Sequence, residues 1–218
     1  PLVPYTEYIL YRDEFKSIGL QNIGGIGNIT VLPKGCSIDD VTAFDTGPGN
    51  MVIDEIVKRV TNGRSIFDKN GEMASKGKVN PKLLERLMQD NYFERKPPKT
   101  TGREYFGKQY SDKLYEYAMG KGIGSLDLIA TVTAFTAASI AYGLRRFVIP
   151  EYGLDKLIIG GGGSFNTTLL NMIKKNLPEV LVLTQEDIGL NSDAKEAAAF
   201  AVLANETING NCNNVPKA

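Results

Sequence analysis

The stretch Leu157-Ile158-Ile159-Gly160-Gly161-Gly162-Gly163-Ser164-Phe165-Asn166 constrains this chain more than any other. A short apolar run meets four consecutive glycines, and a helix-like pattern follows. That order predicts a buried strand, a tight turn and a helix. The alternation repeats: strand over Lys156–Ile159, helix over Phe165–Asn176, strand over Val180–Leu183, helix over Ala194–Ile208. Such a series requires parallel strands joined by right-handed crossovers. Open α/β sheets hold ligands at the carboxyl ends of their strands, and a helix N-terminus there offers donors to an anion. The stretch is neither G-x-G-x-x-G nor a Walker A loop, since no Gly-Lys-Ser/Thr follows. A tight strand-to-helix turn with Ser164 as N-cap is the plain structural alternative.

Earlier in the chain, Ile18–Ile23 and Asn28–Leu32 read as a hairpin around Gly24-Gly25-Ile26-Gly27, and a third strand is expected over Val41–Phe44. Pro48 suits the first turn of a helix whose stripe is Val52, Ile56, Val57 and Val60, stopping at Asn62-Gly63. Residues 64–80 are polar. Further helices are predicted from Pro81 and over Lys108–Met119, with Lys96-Pro97-Pro98-Lys99 extended between them. A long helix begins near Ser125, a candidate N-cap, and Pro150 closes it. Its segment Leu128–Leu144 carries no charge, but it is shorter than the ~20 apolar residues of a membrane span. Thr131, Thr133, Thr136 and Ser139 interrupt it, so it reads as a buried core helix. Three early strands followed by βαβα give an α/β fold with a mixed sheet flanked by helices.

Composition excludes several functions. Lys plus Arg equals Asp plus Glu, 25 of each, and no long basic block occurs, so a dedicated nucleic-acid binder is not expected. There is no histidine. A Ser-His-Asp triad, a Cys-His pair and a His-ligated metal are therefore excluded within these residues. Proton transfer falls to carboxylates, Lys, Tyr or Cys. Cys36 and Cys212 have no metal or redox spacing and read as free thiols of a reducing compartment. Pro1-Leu2-Val3-Pro4 has no signal-type character, so the expected location is cytoplasmic, with no membrane partner.

Two further stretches could carry chemistry. The glycines of Ile23–Asn28 let backbone N–H groups approach a phosphate closely, although a glycine hairpin is also simply structural. In Phe44-Asp45-Thr46-Gly47-Pro48-Gly49-Asn50 a single carboxylate precedes two glycines. Asp45 is either an Asx-turn residue or a carboxylate held at the lip of a pocket.

Taken together, these pieces resemble the actin/Hsp70/hexokinase-type ATPase superfamily, a ribonuclease-H-like lobe. More narrowly, PLVP (1–4), NIGGIGNIT (22–30), FDTGPGNMVID (44–54), KTTGREYFG (99–107), GGGGSFN (160–166) and SDAKEAAAFAVLA (192–204) resemble anhydro-N-acetylmuramic acid kinases, in family order. The resemblance implies an ATP- and Mg²⁺-dependent sugar kinase of peptidoglycan recycling that opens the anhydro ring with water and phosphorylates O6. It makes Asp45 the catalytic base, with Thr46, Asn50 and Glu196 on the anhydro-amino-sugar. It puts the nucleotide on Gly24, Gly25, Gly27, Asn28, Gly161, Gly162, Gly163 and Asn166. Glu196 also fits a capping box with Asp193. The roles of Arg103 and Glu104 and the Mg²⁺ ligands stay open.

Family members are longer and begin with a Gly-Thr-Ser-containing phosphate loop that does not occur here. The resemblance therefore implies the C-terminal portion of such an enzyme. Residues 1–17 would join a missing N-terminal lobe, and residues 18–218 would form the C-terminal lobe with a helical insertion around 64–124. Such a piece is expected to be inactive alone. A homodimer stays open as a further partnership. The alternatives are another sugar or carboxylate kinase of the superfamily, or a non-catalytic nucleotide-binding lobe.

Overall fold

A computed structural model describes residues 2–189 and 195–216, with side chains at 195 and 196 excepted. Helix α1 (Leu2–Tyr11) leads into the antiparallel strands β1 (Ile18–Ile23), β2 (Ile26–Leu32) and β3 (Thr42–Pro48). Helix α2 (Asn50–Val60) follows. A helical segment comes next, with α3 (Glu72–Lys76), α4 (Pro81–Met88), α5 (Arg103–Phe106) and α6 (Lys108–Gly120). The long α7 (Ser125–Phe147) and the short α8 (Ile149–Tyr152) lead to β4 (Lys156–Gly160), α9 (Thr167–Asn176), β5 (Leu181–Thr184) and α10 (Lys195–Ile208). The sheet order is β3-β2-β1-β4-β5. The first three strands pair antiparallel, and β1–β4 and β4–β5 pair parallel. This is the mixed α/β lobe expected from the alternation.

Period-two alternation sorts the core onto two sheet faces. Ile23, Ile29, Val31, Phe44, Leu157 and Ile159 pack with Ala137, Ile140 and Leu144 of α7 and Leu169 and Ile173 of α9. Their sequence neighbours Ile18, Leu20, Leu32 and Ile158 face the other way, toward Tyr5 and Tyr11 of α1. A separate aromatic core around Tyr92, Phe93, Phe106 and Phe135 joins the helical segment to α2 and α7. Helix α7 is long and apolar enough to span a membrane, but 78% of its most apolar window is buried inside the protein. It is the core helix that its threonines suggested.

Several local readings change. The third strand extends to Pro48, so Pro48 ends a strand and α2 starts at Asn50. Helix α7 is capped by Gly124, with Ser125 its first residue, and Pro150 lies inside α8. Lys96–Lys99 is bent around Pro97-Pro98, not extended. Residues 2–11 and 72–76 are helical, which no strong periodicity announced.

The hairpin tip and α2 lock together. The N–H groups of Asn50, Gly49 and Met51 donate to the carbonyls of Gly24 (2.7 Å), Gly25 (3.0 Å) and Gly25 again (3.1 Å). These are donors that a helix start otherwise leaves unmatched. Asn50 Nδ2 adds a bond to the Ile23 carbonyl at 3.2 Å. This seam forces glycine at position 49, because a Cβ there would lie 2.3 Å from the Gly24 oxygen and 3.0 Å from the Ile26 carbonyl carbon. Gly49→Ala is therefore expected to lose about 1–3 kcal/mol of stability, the range of forced overpacking. Gly120→Ala, whose Cβ meets nothing within 4 Å, should be neutral or slightly stabilising. Denaturant unfolding of both variants checks this, and equal effects would contradict the seam.

Candidate functional site

Asp45 lies in the middle of β3, paired with Asn28 of β2 beside a register shift at Gly27/Asn28. Phe44 points into the α7 core, so alternation sends Asp45 to the opposite face. There it lines an open cavity of about 500 Å³ with Val3 and Pro4 of α1, Asn28, Lys99 and Thr100. One carboxylate oxygen, Oδ2, accepts from the Thr101 N–H at 2.8 Å. The other has no partner among the described residues. The backbone is pinned as well: Asp45 N–H donates to the Lys99 carbonyl at 3.0 Å, and Tyr92 Oη donates to the Asp45 carbonyl at 2.7 Å. Burial raises the Asp45 pKa above the ordinary carboxylate value, and the Thr101 amide works against that rise. This is a fixed, half-buried carboxylate with one free oxygen facing open space, which suits a general base.

The pinning loop has its own anchor. Lys99 is buried, and its ammonium donates to the carbonyls of Phe93 (3.3 Å) and Tyr92 (3.4 Å). It lies 4.7 Å from the Tyr92 ring centroid and 4.9 Å from that of Phe147. The Thr101 hydroxyl is buried with no partner among the described residues.

A second cavity, about 530 Å³, opens at the carboxyl edge of the parallel strands. Asn50 and Asp54 of α2, residues 66–70, Gly162, Phe165 and Asn166 line it. The four glycines divide by surroundings. Gly161 adopts φ +79°, and a Cβ there would lie 2.6 Å from Asn22 Oδ1. At Gly163 it would lie 2.3 Å from Ile23 Cγ2. At Gly162 the nearest atom is Asn50 Nδ2 at 3.6 Å, so the missing side chain leaves room on the cavity side. The N-cap of α9 is Asn166, whose Oδ1 accepts from the Leu169 N–H at 2.9 Å. Ser164 Oγ instead donates to the Gly161 carbonyl.

The sequence-predicted residues are thus shared between two places. Asp45 and Asn28 line the first cavity; Asn50, Gly162 and Asn166 line the second. Thr46 is buried and lines neither, its hydroxyl accepting from Gln21 Nε2 at 3.2 Å. Gly27 lies over Thr46, and Gly24 and Gly25 form the hairpin tip. Among the described residues no acceptor meets the N–H groups of Gly24 and Gly25. The space at Gly47 and Gly49 is filled by Phe93, Ser139 and the hairpin backbone, so these glycines serve packing and do not clear room for ligand. The Glu196 side chain and Asp193 lie outside the described residues. Arg103 and Glu104 are exposed at the start of α5, and Arg103 makes no ion pair among the described residues. Sequence reasoning missed Tyr92, Lys99, Thr101 and Asp54. Only the Pro-Pro-Lys-Thr-Thr-Gly string beside the aromatic pair hinted at the first three.

A sheet of this order, with a glycine hairpin on one flank and a glycine turn at the strand ends, has the fold of actin-like ATPase lobes. The likeness extends to the (R)-2-hydroxyglutaryl-CoA dehydratase component A of Acidaminococcus fermentans (TM-score 0.50, 12% identity, 91% of this chain and 68% of that one). The activator of the 2-hydroxyisocaproyl-CoA dehydratase of Clostridium difficile, solved with bound ADPNP, gives TM-score 0.50 at 8% identity, over 93% of this chain and 68% of that one. At such identities only the fold is shared. The family model for anhydro-N-acetylmuramic acid kinase matches residues 1–218, and the chain belongs to that family. Anhydro-N-acetylmuramic acid kinase of Caldanaerobacter subterraneus subsp. tengcongensis is 66% identical over the whole chain, and that of Clostridioides difficile strain 630 is 54% identical. The chain spans 55% and 56% of their lengths. That coverage gives a length and not an end.

The buried ammonium gives a test of the Asp45 anchor. Burial lowers the Lys99 pKa from 10.5 to about 8, with Glu94 opposing the shift. Between these values the unfolded chain holds the proton and the folded chain does not. Lys99 therefore adds stability as pH rises through that window, by up to about 1.4 kcal/mol per pH unit. In Lys99→Met this contribution is gone. The stability of the wild type relative to the variant should climb between pH 8 and 10 in urea titrations, and a flat difference would contradict the buried ammonium.

Proposed function

We propose that the enzyme containing this chain opens the 1,6-anhydro ring of anhydro-N-acetylmuramic acid with water. It transfers the γ-phosphoryl group of ATP to O6, giving N-acetylmuramic acid 6-phosphate in cytoplasmic cell-wall recycling. The observation that carries this reading, beside family membership, is Asp45: one oxygen tied to Thr101, the other free toward an open cavity. The free oxygen takes the proton of a water whose oxygen bonds to the anomeric carbon. The bond from that carbon to O6 breaks, and O6 accepts the phosphoryl group as ADP departs. Pinning by Thr101, Tyr92 and Lys99 holds the base in place, which such a step requires.

The second cavity is assigned to the nucleotide, which a protein of this fold holds as ADPNP. Asn50 lines that cavity, so we move it from the sugar to the nucleotide. Asn28 lines the Asp45 cavity, so we move it to the sugar side. The free amides of Gly24 and Gly25 suit the phosphate chain between the two. The Mg²⁺ that accompanies ATP needs only one or two carboxylates beside phosphate and water. Glu196 remains a proposed sugar contact and Thr46 a support beneath the hairpin.

The rest of the enzyme, which we place before this chain, would supply the opposing lobe, with α1 in the joining segment. It would close over the Asp45 cavity and grip the phosphates from the other side. In this reading the lobe alone does not turn over, because closure excludes water and completes the electrostatic stabilisation. A phosphate-transfer assay on residues 1–218 should read zero, and robust turnover would contradict a two-lobed site. In the intact enzyme, Asp45→Asn should keep the fold and ATP binding while turnover drops ~10²–10⁴-fold, as for loss of a general base. Near-normal turnover would remove Asp45 from that role.

A further inference from the structure

Asp54 stands in the second cavity with no hydrogen-bond or ion-pair partner among the described residues. Burial, then Glu55 and Asp68, raise its pKa from 3.8 to about 6. Asp68 is already occupied, accepting from the N–H groups of Met73 (2.8 Å) and Ala74 (2.9 Å). Lys69 is the cationic side chain lining the same cavity. A half-buried carboxylate left unmatched is costly, and it can only accept hydrogen bonds. With two more carboxylates nearby, this end of the cavity repels phosphate. It suits a neutral group that carries donors.

The phosphate end lies elsewhere, at the hairpin tip, which meets α2 at residues 49–51. Asn50 belongs to that junction, through its bond to the Ile23 carbonyl. Asp54 is four residues further along α2, about 6 Å on the helix axis. That is the step from a phosphate chain to the vicinal hydroxyls of its ribose. The remaining wall offers Ile66, Phe67 and Phe165, exposed at 66%, 53% and 56%, which suits the flat face of a base. Acidic side chains meet ribose hydroxyls in the same way in dinucleotide-binding folds.

We propose that Asp54 accepts hydrogen bonds from the ribose hydroxyls of the bound nucleotide and makes the site selective for ribonucleotides over deoxyribonucleotides. The inference rests on the assignment of this cavity to the nucleotide. Calorimetry on the intact enzyme with a non-hydrolysable ATP analogue and its 2′-deoxy and 3′-deoxy forms tests both. The wild type should prefer the ribonucleotide about 10–100-fold over at least one deoxy form, the worth of a hydrogen bond to a charged group. Asp54→Ala should bring that ratio close to one by weakening the ribonucleotide more than that deoxy form. Asp54→Asn, which keeps the shape of the side chain, should reduce the ratio to a few-fold. The wild-type preference should weaken as pH falls through 6, and that of Asp54→Asn should not move. Equal ribose preference in all three proteins would overturn the role of Asp54 while leaving the nucleotide site standing. Failure of the wild type to bind any of the three ligands would overturn the nucleotide site and this inference with it.

Discussion

Three hydrogen bonds hold the two halves of the candidate site in register. Gly24 and Gly25 turn their carbonyls onto the N-terminus of α2 and take the N–H groups of Gly49, Asn50 and Met51. The glycine hairpin, the end of β3 and the start of α2 thereby form one rigid junction. Asp45 lies on one side of it, four residues before Gly49. The cavity of Asn50, Asp54 and Gly162 lies on the other. The junction also uses up the donors that an α2 N-terminus would otherwise present to an anion. The N–H groups of Gly24 and Gly25 at the hairpin tip stay without an acceptor among the described residues, and in the proposed function they are the donors left for phosphate.

The fixing of Asp45 comes from parts distant in sequence. Thr101 and Tyr92 are 56 and 47 residues from Asp45, yet both bond to it. They are brought there by the aromatic core of Tyr92, Phe93, Phe106 and Phe135, and by a buried lysine that ties the loop's carbonyls together. Burying an ammonium without a directly bonded carboxylate costs stability. Its two carbonyl acceptors and the Tyr92 and Phe147 ring faces offset part of that cost.

This division explains what the sequence made legible. Local alternation was enough for β1, β2, β4, β5 and α9, because apolar period and glycine punctuation are properties of adjacent residues. Asp45 could be singled out by its string. Its surroundings could not, since they depend on contacts over half a hundred residues. FDTGPGN looked like a turn because glycine and proline usually punctuate. Here the strand continues to Pro48, and the glycines answer close packing against Phe93, Ser139 and the hairpin. Ser164 and Ser125 looked like caps, but Asn166 and Gly124 hold those positions. Asp54 sat unremarked in a helical stripe, because nothing local reveals that a cavity faces it.

The central claim is that sugar and nucleotide occupy separate cavities on either side of the hairpin–α2 junction. A crystal structure of the intact enzyme with a non-hydrolysable ATP analogue and anhydro-N-acetylmuramic acid tests it most directly. The account predicts the anomeric carbon beside Asp45, the phosphates at Gly24 and Gly25, and the base between Phe67 and Phe165. A nucleotide lodged against Asp45, or a sugar between Asp54 and Gly162, would contradict it.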